Sequence, residues 1–136
     1  MASFSNIVIA DGSATPAPHT FAVKSNDNRV SRYEDRAGGI PLGFGKLTAA
    51  ISDVNKNNRR IEFTIEVPIL EAVSGANPSG FTPAASVAYY NKVVIGFVTN
   101  NRSTTQNRKD LLAFAKNLLG LATVSSIVVD GEEISG

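Results

Sequence analysis

Lys46-Leu-Thr-Ala-Ala-Ile-Ser52, Arg59-Arg-Ile-Glu-Phe-Thr-Ile-Glu-Val67 and Val87-Ala-Tyr-Tyr-Asn-Lys-Val-Val-Ile95 are β-patterned runs within one stretch of chain, and their reading decides the fold. Successive side chains of an extended strand point to opposite faces. Lys46, Thr48, Ala50 and Ser52 therefore oppose Leu47, Ala49 and Ile51, and Arg60, Glu62, Thr64 and Glu66 oppose Ile61, Phe63, Ile65 and Val67. An antiparallel sheet with one face on a core and the other in water has this pattern. Asn55-Lys-Asn-Asn58 supplies turn chemistry, so residues 44–54 and 59–69 are expected to form an adjacent antiparallel pair.

Upstream, residues 6–10 (Asn-Ile-Val-Ile-Ala) and 20–24 (Thr-Phe-Ala-Val-Lys) read as a hairpin whose long loop holds Asp11-Gly12, Pro16 and Pro18. Such a hairpin can pack as a separate two-stranded unit. Arg29 to Arg36 is a further strand candidate, and its charged side chains around Val30 and Tyr33 suggest an edge position. Gly38-Gly-Ile-Pro-Leu-Gly-Phe-Gly45 breaks the chain before the central pair. Residues 73–83, rich in small residues and containing Pro78 and Pro83, form a long loop before the last strand, of the kind that is mobile or functional.

Downstream, Asn100-Asn-Arg-Ser-Thr-Thr offers N-cap candidates for a helix from Gln106 to Leu119, with Leu111, Leu112, Phe114, Ala115, Leu118 and Leu119 along one stripe. Gly120 is a stop, and Leu121 to Val129 reads as a short second helix in preference to a strand. Strands followed by helices give an α+β fold, with helix covering the apolar side of the sheet. One helix cannot cover a broad sheet, and the last strand has no successor to pair with. A homodimer resolves both, with the 87–99 strands side by side across a two-fold axis and each helix on the partner's sheet.

At 136 residues and 43% hydrophobic content, the chain suits a single domain, residues 1–136. There is no cysteine, which excludes disulfides and thiolate chemistry. The apolar run from Val93 to Val98 is far below the roughly 20 residues that span a bilayer, and the N-terminus lacks a secretory pattern, so no membrane partner is expected. The net charge of +1 conceals a local basic cluster, with Lys46, Lys56, Arg59 and Arg60 against Asp53. His19 is the only histidine and has no nucleophile at a recognisable spacing. Gly43-Phe-Gly-Lys46 lacks the phosphate-loop spacing, and neither Glu62/Glu66 nor Asp130/Glu132/Glu133 has the spacing of a calcium loop. No catalytic residue, metal or cofactor is expected.

The same residues resemble a family, the coat proteins of the small single-stranded RNA bacteriophages, or leviviruses. Asn58-Arg-Arg-Ile-Glu-Phe-Thr-Ile-Glu-Val-Pro68 is similar to the family's Asn-Arg-Lys strand ending in Glu-Val-Pro, and Lys46-Leu-Thr resembles the start of the strand before it. Pro83-Ala-Ala followed, across a one-residue gap, by Ala88-Tyr-Tyr-Asn91 resembles the entry to the family's final strand. The opening Ala-Ser-Phe, the Ile-Val-Ile-Ala-Asp-Gly segment and the closing Leu-Leu-Ala-Phe-Ala-Lys-Asn-Leu-Leu helix fall in the family's order.

The resemblance implies an N-terminal hairpin (1–27), a five-stranded antiparallel sheet (28–100, with the 73–83 loop) and a helical region (104–129). Two chains would intertwine into a homodimer with a continuous ten-stranded sheet. Dimers would assemble in the bacterial host cytoplasm into the icosahedral shell of a virion around single-stranded RNA, with the 73–83 loop at the symmetry axes. The inward sheet face would also bind an RNA hairpin, so the protein would act as translational repressor and reader of the packaging signal.

Carried over by position, the resemblance implies that Tyr89 would stack a loop pyrimidine, Asn91 would bond ribose or base, and Thr48 would line an adenine pocket. Lys46, Asn58 and Arg60 would contact backbone and bases, and Glu66 would be an acceptor. Thr64 stands where the family has a lysine, and Ala50, Ser52 and Glu62 also depart, leaving a less basic surface for a different or weaker hairpin. Each residue has a plainer reading, with Tyr89 as cross-strand packing, Glu66 as an ion-pair partner of Lys46 or Arg60, and the others as solvated side chains. A non-assembling dimeric RNA-binding regulator using the same face is the main alternative, and a ligand-binding β-rich domain is another.

Overall fold

The computed structural model describes residues 2–71 and 84–134. Six strands form one sheet in sequence order, β1 (Ile7–Ala10), β2 (Pro18–Asn26), β3 (Val30–Asp35), β4 (Gly45–Asp53), β5 (Asn58–Leu70) and β6 (Val87–Asn100). Two helices follow, α1 (Thr105–Leu119) and α2 (Ala122–Ser125), the second running on into a π turn over Ser126–Asp130. The chain divides into two compact units, Met1–Val98 with the sheet and Thr99–Gly136 with the helices.

The alternation read from the central runs sets the register. Lys46 pairs with Glu66, Thr48 with Thr64, Ala50 with Glu62 and Ser52 with Arg60. On the other face Leu47 pairs with Ile65, Ala49 with Phe63 and Ile51 with Ile61. The turn closes because Asn55 Oδ1 accepts from the backbone N–H groups of Asn57 (2.9 Å) and Asn58 (3.0 Å). Phe21, Tyr33 and Leu47 are the buried core, with Ile7, Ile9, Val23 and Ile65 packed against them. Each such side chain contributes about 1.5–3 kcal/mol of transfer free energy. The Phe4 ring adds a tilted contact to Tyr33 at 5.5 Å between centroids.

Two expectations are corrected. The N-terminal hairpin is not a separate unit beside a five-stranded sheet. The nine residues of β2 are long enough to pair with β1 on one side and β3 on the other, which brings Phe21 into the shared core. Nor does β3 lie at an edge, since it sits between β2 and β4. Its charges are accommodated by the solvated face and by ion pairs. The bulge between Val23 and Ser25 carries Lys24, whose ammonium lies 3.3 Å from Glu34, and Arg36 Nε lies 2.8 Å from the same carboxylate. Asn28, at φ 64°, makes the left-handed turn into β3. The edges of the sheet are β1 and β6, which have four and 14 residues. The loop expected over 73–83 lies outside the described residues.

In the second unit, Thr104 caps α1 by accepting from the Asn107 N–H at 3.2 Å. Residues 121–129 are mainly helical, as their sequence suggests, and Gly131 at φ 68° ends the turn. No residue of α1 or α2 is buried; Phe114 is 70% exposed and Leu112 60%. No single helix is long and apolar enough to cross a membrane.

Candidate nucleic-acid interface

Pairing turns the polar alternation of β3, β4 and β5 into rows running across the sheet. Glu34, Lys46 and Glu66 form one row, and Arg32, Thr48 and Thr64 the next. Val30, Ala50 and Glu62 form a third, and Ser52 and Arg60 lie beyond it. Directly opposed residues on one face lie close enough for their side chains to interact. Lys46 thus stands in register between two carboxylates. Arg60 Nη2 lies 2.8 Å from Glu62 Oε2, and its guanidinium also passes Gly96 of β6, where an added Cβ would sit 3.6 Å from Nη2. An alanine at 96 would meet that arginine in ordinary van der Waals contact.

Lys46, Thr48, Arg60, Thr64 and Glu66 therefore share one face. Asn58 lies at the start of β5, half-buried, where its carbonyl accepts from Val54 N–H at 3.0 Å. Tyr89 and Asn91 are both exposed on β6, and alternation gives them one side of that strand and Tyr90, Lys92 and Gly96 the other, so the contact of Gly96 with Arg60 puts Tyr90 and Lys92, not Tyr89 and Asn91, on the side of Arg60. Sequence reasoning left Arg32 and Glu34 out of this surface because it took β3 as an edge. Their alternation with Ser31, Tyr33 and Asp35 was the available signal.

His19 belongs to a different place. Its Nδ1 lies 2.8 Å from Asp35 Oδ2 and its Nε2 lies 3.1 Å from Asp11 Oδ2, at a cavity of about 550 Å³ whose apolar lining includes Ile9, Phe21, Ile65 and Val67. The Asp35 carboxylate, then that of Asp11, raises the imidazole pKa above its usual value. Asp11 is held far below the carboxylate range by the Ser13 hydroxyl, the Ala17 N–H and His19. Burial pushes Asp35 up, but the Ala37 N–H and His19 more than offset it, so its pKa is also lowered. With both ring nitrogens engaged by carboxylates, His19 is built as a clamp between segments, not as a base for a substrate. Among the described residues no group of His, Asp and Glu side chains could hold a metal ion.

A single sheet with one polar face, a long edge strand with no further partner among the described residues, and helices whose apolar residues are exposed in the single chain defines a structural subunit made to associate. The family model for levivirus coat proteins matches residues 2–134, and the chain belongs to that family. Its members are structural capsid proteins of the virion, not enzymes. The capsid protein of Pseudomonas phage PRR1 is 25% identical over 120 residues, covering 87% of this chain and 86% of that protein. The structure is similar to the virus-like particle of bacteriophage ESE058, with a TM-score of 0.89 and 28% identity over 98% of this chain and 100% of that one. It is also similar to the virus-like particle of bacteriophage NT-214, with a TM-score of 0.84 and 29% identity over the same shares of the two chains.

Proposed function

We propose that this coat protein dimerises through β6, assembles as dimers into an icosahedral shell around single-stranded RNA, and binds an RNA hairpin on the polar sheet face as translational repressor and packaging signal reader. The observation that carries this reading is the register that gathers Lys46, Thr48, Arg60, Thr64 and Glu66 on one face of a coat-protein sheet. Thr48 and Thr64, directly opposed, offer hydroxyls that donate and accept, as unpaired bases require. Asn58 and Arg60 add contacts at the start of β5, and β6 brings a stacking ring and a polar group, Tyr89 and Asn91 by the family resemblance or Tyr90 and Lys92 by their alternation with Gly96. Dimerisation is supported by the 14-residue edge of β6 and by the exposed apolar residues of α1, which a partner's sheet face would cover. Two such sheets joined along β6 would run continuously through both subunits.

Electron microscopy and size-exclusion chromatography of the protein expressed alone, with the nucleic-acid absorbance of the peak, test the reading. Uniform RNA-containing particles are expected, whereas an RNA-binding dimer that never assembles would replace the shell by the regulator. Tyr89→Ala is expected to weaken hairpin binding by about 1–3 kcal/mol through lost stacking and to leave particles intact. An effect of Tyr90→Ala in its place would turn the other side of β6 toward the RNA.

A further inference from the structure

The polar face carries cations of unequal availability. Lys46 lies in register between Glu34 and Glu66, and Arg60 is paired with Glu62 within its own strand and on the same face. Lys24 and Arg36 converge on the Glu34 carboxylate, whose pKa is lowered chiefly by Arg36. Arg32 differs. It is directly opposite Thr48 in the only three-strand row of β3, β4 and β5 on this face that contains no carboxylate, beside the opposed pair Thr48 and Thr64. Its Nη1 lies 2.5 Å from Oδ2 of Asp27, which belongs to the turn before β3, and the two side chains are 47% and 67% exposed. An ion pair this open to water contributes little to stability and exchanges easily for a stronger anion. A phosphate offers a planar guanidinium two parallel hydrogen bonds.

We propose that Arg32 is an RNA-contacting residue, exchanging Asp27 for a phosphate of the nucleotide seated over Thr48 and Thr64. The proposal rests on the RNA-binding reading above and extends that surface from β4 and β5 onto β3. It gives the hydroxyl row a charge of its own, and it assigns Asp27 the role of a competing anion that holds the guanidinium over the sheet in the absence of RNA.

The test uses the assembled dimer and a pool of short RNA hairpins with randomised loops, with affinity measured across a salt series. Wild-type protein is expected to bind with a steep salt dependence, and Arg32→Gln to bind about tenfold more weakly with the salt slope reduced by about one. Arg32→Lys keeps the charge without the fork, so it is expected to restore the slope but not the full affinity. Asp27→Asn removes the competitor and is expected to tighten binding without disturbing the sheet. Lys109→Gln on α1 is the charge control and is expected to match wild type. Circular dichroism and elution volume verify that each variant is folded and dimeric. Wild-type affinity and slope in Arg32→Gln, while Arg60→Gln is impaired, would overturn the role of Arg32. So would unchanged or weaker binding by Asp27→Asn. Wild-type protein that binds no hairpin would overturn the RNA-binding reading itself.

Discussion

His19 ties three pieces of chain together through two ring nitrogens, reaching Asp11 beyond the end of β1 and Asp35 at the end of β3 from its own place in β2. Its pKa is raised in the folded protein from an ordinary value of 6.5, so its stabilisation is complete below that value and is lost as pH rises through the raised one. Asp11 and Asp35, both lowered from 3.8, contribute above that value and lose their contribution as pH falls through their depressed values. The melting temperature of the wild-type protein is thus expected to hold between these limits and to fall toward alkaline pH. His19→Gln is expected to flatten the alkaline fall, which differential scanning fluorimetry across a buffer series would record. A variant with the full wild-type slope would place the titrating group elsewhere. The sequence showed a lone histidine at a strand start and nothing more, because its partners are eight and 16 residues away and meet it only through strand pairing.

At the scale of elements, α1 begins where a side-chain oxygen can replace a missing backbone acceptor. Thr104→Ala removes that acceptor from the Asn107 N–H and is expected to cost about 1 kcal/mol, read as a lowered urea midpoint at an unchanged slope. A midpoint equal to wild type would mean that water caps the helix equally well. This cap, the β4–β5 pair and its Asn55 turn were legible in the sequence because each depends on residues within a few positions of one another. The placement of β3 was not. Arg32, Glu34 and Arg36 looked like the charges of an edge strand, whereas Arg32 and Glu34 occupy the solvated face of the sheet, Arg36 follows the end of β3, and Tyr33 packs in the core. Charge in a strand thus marks a wet face as readily as a free edge, and pairing partners decide between them. The candidate surface was partly legible for the same reason, since alternation gave Lys46, Thr48, Arg60, Thr64 and Glu66 a common side, but Arg32 joins them only through cross-strand register.

For the whole molecule, the exposed apolar side chains of the second unit are the strongest demand for a partner. Phe114→Asp changes a residue that is 70% exposed in the single chain, so the protomer loses little by it. Size-exclusion chromatography and electron microscopy are expected to show monomers and no particles for this variant, because a charge cannot be buried against a neighbouring apolar sheet. Dimers of normal elution volume would remove α1 from the interface. The two edges of the sheet carry a further consequence. β6 presents 14 residues of strand, but β1 presents four, beyond which Asp11 turns away and its carboxylate accepts from the N–H groups of Ser13 and Ala17. Once two copies join by their β6 strands, each long template is used up, and what remains outside is a pair of stubs too short to recruit another chain. In the proposed dimer, sheet growth would therefore stop at two. A protein concentrated to shell density would then escape the open-ended fibre, because only one of its two rims could seed and that rim would be consumed by its own copy.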